Sequence, residues 1–246
     1  MIIESAQNQT FKRLLKLHKK KYRQQEQLFI VEGMHLVEEA LKSNVVKTIL
    51  LKASIPQTIA EIDELECLVL KDSLFDQLAQ TPSPQPIMAI CEMKQLELTQ
   101  LNRLLICDEV QDPGNLGTLI RSALAFGFDG IILGEGCVDV FNEKVVRSTQ
   151  GAIFKLPIIH ANLEEMIPTL KRQNVRVYGT SVTRAYPLQD VVKEERMAFI
   201  LGNEGNGVHP KHLTLTDHNI YIEMSPLVES LNVSIAGSII MHQFRP

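Results

Sequence analysis

The chain has 246 residues, 45% of them hydrophobic and 22% charged, a balance ordinary for a folded protein and enough for one large domain or two modest ones. No run approaches the roughly 18 to 20 consecutive apolar residues of a membrane span, and Met1 to Gln9 lack the apolar stretch of a secretory signal, so a cytoplasmic protein with no membrane partner is expected. Net charge is -4, which argues against indiscriminate nucleic-acid binding, yet seven basic and no acidic residues lie between Phe11 and Arg23, leaving -11 on the remainder.

The opening segment, Ser5 to about His18, spaces Phe11, Leu14, Leu15 and Leu17 near a helical period, with basic residues between them. A solvated helix face would look the same. The lack of any compensating acid points instead to a phosphate-contacting surface made by Lys12, Arg13, Lys16, Lys19, Lys20, Lys21 and Arg23. A strand at Leu28 to Val31, a helix through Met34 to Leu41, strands at Thr48 to Leu51 and Cys67 to Leu70, and a helix capped by Asp72 or Ser73 follow. After the proline-rich 81–86 and a strand at Ile87 to Ile90, residues 1–95 read as one small α/β domain, with 96–102 as linker. In 103–246 apolar strands at Leu104 to Cys107, Gly130 to Leu133, Val175 to Thr180, Met197 to Leu201 and Asn219 to Ile222 alternate with helical patterns, which implies a mostly parallel sheet covered on both faces. Leu231 to Phe244 reads as a mostly buried terminal helix. The four cysteines (Cys67, Cys91, Cys107, Cys137) are widely spaced, form no C-x-x-C pair and sit mostly in apolar runs, so neither a disulfide framework nor a zinc site is expected.

Three segments of the second domain are too unusual for plain connectors. In Asp112-Pro113-Gly114-Asn115-Leu116-Gly117-Thr118-Leu119-Ile120-Arg121, Pro and Gly fix a turn, Asn115 or Thr118 can cap the next helix, and Arg121 is expected within its first turn or so. A surface pairing of Arg121 with Asp108, Glu109 or Asp112 is the plain structural reading. Gly202-Asn203-Glu204-Gly205-Asn206-Gly207 follows the apolar Ala198 to Leu201, at the sheet edge where open α/β folds bind ligands. Its order is G-x-x-G-x-G, Pro210 follows almost at once, and only 44 residues remain after Gly202, so a dinucleotide site is not expected although Glu223 falls about 20 residues on. Ile222-Glu223-Met224-Ser225-Pro226-Leu227-Val228-Glu229-Ser230-Leu231-Asn232-Val233-Ser234 enters the terminal helix, and Ser230, Asn232 and Ser234 offer hydrogen bonds at its electropositive end. Ser230 reads in part as an ordinary cap.

Together, Asn115 to Arg121 with Ala123 and Phe126-Gly127, Gly202 to Gly207, and Ser230 to Ser234 with Ala236 resemble the three signature motifs of the SpoU (TrmH) family of RNA 2'-O-ribose methyltransferases, in order and spacing. Val146 to Ala152 looks like the family's intervening helix, and the basic segment followed by Phe29 to Gly33 looks like the substrate-binding domain that many ribosomal-RNA members carry. The resemblance implies a SPOUT trefoil-knot domain preceded by a small α/β RNA-binding domain, a homodimer, S-adenosylmethionine as cofactor and no metal. It implies cofactor contacts at Gly202, Asn203, Gly207, Ile222, Met224, Leu231 and Val233, and a catalytic set of Arg121 held by Asn115, Glu204, Ser230 and Asn232. Because arginine keeps its proton in nearly any protein setting, Arg121 is expected to bind phosphate and stabilise an alkoxide rather than act as a base. Large-subunit ribosomal RNA of the 23S type is the expected substrate. Transfer RNA, an antibiotic-binding ribosomal loop, and a non-catalytic RNA-binding assembly protein that keeps the knot stay open as alternatives.

Overall fold

A computed structural model of the chain describes residues 2–54 and 65–246. Two compact units result: Met1–Lys94 with Phe141–Phe154, and Gln95–Val140 with Lys155–Pro246. The first excursion differs from a single cut at the linker, since 141–154 groups with the amino-terminal residues.

In the first unit, β1 (Ile2–Ile3), β2 (Leu28–Glu32), β3 (Val46–Lys52), β4 (Glu66–Leu70) and β5 (Ile87–Glu92) form a sheet in the order β1-β4-β3-β5-β2. β3 and β4 run parallel, while β5 runs antiparallel to β2 and β3. The helix expected over Ser5 to about His18 is α1 (Gln9–Lys16), and a second helix that was not expected, α2 (Lys20–Glu26), follows it. Asn8 caps α1 by accepting from the backbone N–H of Thr10 and Phe11. Phe11, Leu14 and Leu17 then face the core formed with Leu50, Leu70 and Met88, and burying each such side chain stabilises by about 1.5–3 kcal/mol. The break after Leu17 is fixed by Arg23, which is buried and donates from Nη1 to the carbonyls of Leu17 and His18 at 2.9 and 2.8 Å. Those are orphan carbonyls of the α1 terminus. Helices α3 (Met34–Lys42) and α4 (Asp72–Leu78) complete the part before the linker.

The second unit and its excursion comprise β6 (Arg103–Cys107), α5 (Pro113–Ala125), β7 (Gly130–Leu133), α6 (Glu143–Thr149), β8 (Ile158–His160), α7 (Leu163–Arg172), β9 (Arg176–Thr180), β10 (Tyr186–Pro187), β11 (Met197–Leu201), α8 (Pro210–Leu215), β12 (His218–Tyr221) and α9 (Val233–Gln243). Of these, α6 lies in the excursion that groups with the first unit, where Phe141 packs on Phe29 with ring centroids 4.8 Å apart. The sheet order is β10-β12-β9-β11-β6-β7-β8, and every pair is parallel. The fold is therefore the mixed α/β class with a mostly parallel sheet that the alternation predicts. β6, β7 and β11 are buried along their whole length, as strands covered on both faces must be. Arg103 is also buried, and its guanidinium donates to the carbonyls of Asn102, Glu194, Glu195 and Phe244, which satisfies a charge that would otherwise be costly. The terminal helix α9 is not mostly buried: Gly237, Ile240 and Met241 face inward, whereas Ile235 and Ile239 are exposed.

Candidate active site

β11 ends at Leu201, and the chain turns at Gly202 into a closed loop. A Cβ at Gly202 would stand 2.0 Å from the carbonyl carbon of Gly207 and 2.0 Å from the nitrogen of Val208, so no side chain fits there. The loop shuts because Asn203 and Gly207 exchange both backbone hydrogen bonds, at 3.0 and 2.9 Å. Gly207 takes φ +70°, a conformation glycine adopts without strain. Asn203 fills the interior, its Oδ1 accepting from the N–H groups of Gly205 and Asn206 while its Nδ2 donates to the Glu109 carbonyl.

The three polar segments meet through one chain of hydrogen bonds. Asn232 is the N-cap of α9, with Oδ1 accepting from the N–H groups of Ser234 and Ile235 and from the Ser234 hydroxyl. Its Nδ2 donates to Asn115 Oδ1 at 2.9 Å, and Asn115 Nδ2 donates to Glu204 Oε1 at 3.0 Å. Glu204 also accepts from the backbone N–H groups of Asp112 and Gln111, at 3.1 and 3.3 Å. Partial burial disfavours the Glu204 charge, but the donors from Asn115, Asp112 and Gln111 outweigh it and hold the carboxyl below its ordinary range. The first turn of α5, the glycine loop and the start of α9 are thereby locked together.

Behind this lock lies a cleft of about 790 Å³ at the carboxyl edge of β9, β11 and β12, within the usual range for small-molecule sites. All seven residues expected to bind cofactor, Gly202, Asn203, Gly207, Ile222, Met224, Leu231 and Val233, line it. Glu204, Ser230 and Asn232 do so as well. Thr180 to Thr183 also line it, and no motif points to them. Their only signal is that they leave the carboxyl end of a parallel strand beside the glycine loop.

Several expectations require correction. Arg121 is the ninth residue of α5, in its third turn rather than its first. It is exposed, lies outside the cleft lining, and makes no hydrogen bond or ion pair with any described residue, so neither the surface pairing with Asp108, Glu109 or Asp112 nor a clamp by Asn115, Glu204, Ser230 and Asn232 is present. Arg121 lies six positions after Asn115, which puts them on different faces of a helix with 3.6 residues per turn. Ser230 does not cap α9; Asn232 does, because α9 begins at Val233. Among the seven basic residues, Arg23 is internal and unavailable to RNA, and Arg13 pairs with Glu26. The lysines 12, 16, 19, 20 and 21 are exposed.

A parallel α/β sheet whose carboxyl edge carries a cleft, a side-chain-free turn and a capped helix start is the arrangement in which open α/β folds hold a small-molecule ligand. Apolar Ile220, Ile222, Leu231 and Val233 offer a surface suited to a flat ring, and at Gly202 the main chain of Gly207 and Val208 closes directly on the turn. Residues 102–242 match the SpoU rRNA Methylase family, and residues 8–89 match the MRM3-like substrate binding domain. The chain is 43% identical over 246 residues, 99% of its length and 98% of the relative's, to the 23S rRNA (guanosine(2553)-2'-O)-methyltransferase RlmP of Bacillus subtilis (strain 168). A solved AdoMet-bound rRNA methyltransferase from Sinorhizobium meliloti superposes at TM-score 0.89 with 28% identity, covering 99% of this chain and 96% of the other. A TrmH-family structure from Porphyromonas gingivalis gives TM-score 0.86 at 33% identity over 96% of both chains. The chain belongs to the SpoU rRNA methylase family. It is a methyltransferase, and S-adenosylmethionine is its cofactor.

Proposed function

We propose that the chain methylates the 2'-hydroxyl of a guanosine ribose in large-subunit ribosomal RNA, acting in the cytoplasm as a homodimer with a knotted carboxyl-terminal domain. The observation that carries this reading is the hydrogen-bonded union of Asn232, Asn115 and Glu204 beside the cleft, on a chain 43% identical to an enzyme named for that reaction. The bound cofactor supplies an electrophilic methyl group on a sulfonium. The chain's own work is to hold the ribose oxygen in line with it, and positioning of this kind can supply much of a rate enhancement.

In this reading Gly202, Asn203, Gly207, Ile222, Met224, Leu231 and Val233 bind the cofactor, and Asn115, Glu204 and Asn232 fix the loops around it. Arg121 binds the phosphate beside the target ribose and stabilises the alkoxide that forms as the hydroxyl loses its proton. Its fork is exposed and engages none of the described residues, which suits a group that meets only RNA. Ser230, at the rim, contacts the ribose. Lysines 12, 16, 19, 20 and 21 contact RNA phosphates, in line with the match of residues 8–89 to a substrate-binding domain. The exposed Ile235 and Ile239, one turn apart on α9, favour burial against a second copy.

The test maps 2'-O-methylation across all ribosomal and transfer RNA with and without the gene, then complements with wild type or Arg121→Ala. One missing methyl on a large-subunit guanosine, restored by wild type alone, is expected. The Arg121→Ala protein should bind cofactor within about threefold of wild type yet methylate at least about a hundredfold more slowly, the scale of losing one oxyanion-stabilising donor. Wild-type turnover by that variant, or a missing methyl on transfer RNA only, would refute the assignment.

A further inference from the structure

The wall of the cleft formed by α8 has a second face that the motifs do not include. Pro210 and Leu213 of α8, with Val208 just before it, line the cleft. His212 points the other way, toward Asp108 at the carboxyl end of β6. Asp108 is 2% exposed, and one of its oxygens, Oδ2, accepts from the His209 backbone N–H at 2.8 Å and lies 2.7 Å from His212 Nδ1. A buried carboxylate is tolerated only when donors satisfy it, and such charge-assisted bonds are about twice as strong as neutral ones.

The same stretch grips the loop at its other end. Glu109 accepts through its carbonyl from Asn203 Nδ2, and Gln111 and Asp112 donate their N–H groups to Glu204. Residues 108–112 thus hold residues 203–212 front and back, and the back hold is the Asp108 pair. Glu109, Glu135, Glu164, His209 and Lys211 line the recess of about 190 Å³ around His212, but the hydrogen bond of its ring runs to Asp108 alone among the described residues.

We infer that His212 is a positioning residue for methyl transfer: by donating to Asp108 it fixes α8, and so holds Val208, Pro210 and Leu213 in the arrangement that receives the cofactor. The inference rests on the assignment of the cleft to S-adenosylmethionine. His212 itself lies outside the cleft lining. Its loss should therefore weaken cofactor binding and leave the chemical step nearly intact.

Leucine and asparagine are close to isosteric, and only asparagine retains a donor near the Nδ1 position. Full-length wild type, His212→Leu and His212→Asn would be titrated with S-adenosylmethionine by calorimetry and followed by steady-state kinetics. For His212→Leu, Kd should rise about tenfold, equivalent to about 1.4 kcal/mol. Its KM for the cofactor should follow while kcat stays within about twofold of wild type. His212→Asn should recover most of the affinity. His212→Ala takes the place of the leucine variant if that protein does not fold. Tight binding by the leucine variant, or asparagine as weak as leucine, would overturn the inference. A wild-type protein that binds no S-adenosylmethionine would instead overturn the assignment of the cleft.

Discussion

Glu204 keeps its charge against partial burial because three donors converge on it, and this makes it an acid-sensitive fastening between the glycine loop and α5. A carboxyl whose folded-state pKa lies below its ordinary 4.5 contributes stability that is fully present above that value and is lost as pH falls through the lower folded value. Thermal midpoints of wild type should therefore drop faster between pH 5 and pH 3 than those of Glu204→Gln, which has no proton to gain there. Parallel profiles would show that the fastening carries no charge-dependent stability. Asn232 was legible as a polar residue opening an otherwise apolar helix, Asn115 as a cap after a Pro-Gly turn and Glu204 as part of a glycine-rich loop, and only the family resemblance joined the three. Arg23 was not, because a guanidinium that caps two carbonyls inside the fold has the same sequence signature as one that waits for phosphate. His212 gave no signal either: its partner Asp108 lies 104 positions away, and only the fold brings them together.

At the level of elements, long apolar strands announced themselves, whereas β8 and β10 have three and two residues and no periodicity to read. A second helix follows the expected one after a turn at Leu17 and His18, whose carbonyls accept from Arg23, an interaction that spacing does not reveal. The glycine loop was recognisable from composition, but its tightness was not. Gly202 tolerates no Cβ because the chain returns on itself within 2.0 Å of where that atom would be, so the crossing is with backbone, which cannot rotate away. Gly202→Ala should then force the loop open, with a cost of about 1–3 kcal/mol in stability. Affinity for S-adenosylmethionine should fall at least tenfold in the same protein, measured by calorimetry beside a thermal melt. Undiminished binding by this variant would mean that the loop's closure is incidental to the cofactor.

Over the whole molecule, the sign of the charge changes along the chain: the seven basic residues of 11–23 offset a remainder of -11. An acidic protein that handles RNA must concentrate its attraction, or association with a polyanion would be opposed over most of its surface. Arg23 is held inside the fold by the α1 carbonyls and Arg13 pairs with Glu26, so on the proposed RNA-binding role the exposed lysines are the candidate phosphate ligands. Lys19, Lys20 and Lys21 stand together at the start of α2, where Lys19 is the N-cap residue but makes no capping bond through its side chain, so all three can be replaced without breaking the helix. Each phosphate contact adds about 0.7 to 0.9 to the steepness with which log affinity falls against log salt. The triple glutamine variant should bind ribosomal RNA fragments more weakly at every salt concentration, with a slope shallower by roughly 2 to 3. Arg23→Met supplies the contrast: it should lower the thermal midpoint, through loss of buried hydrogen bonds that net about 1–3 kcal/mol, and leave the salt slope as it was. Filter-binding or fluorescence titrations from low to moderate salt separate the two, and a slope that changes for Arg23→Met but not for the lysine variant would place the RNA-contacting face elsewhere on the protein.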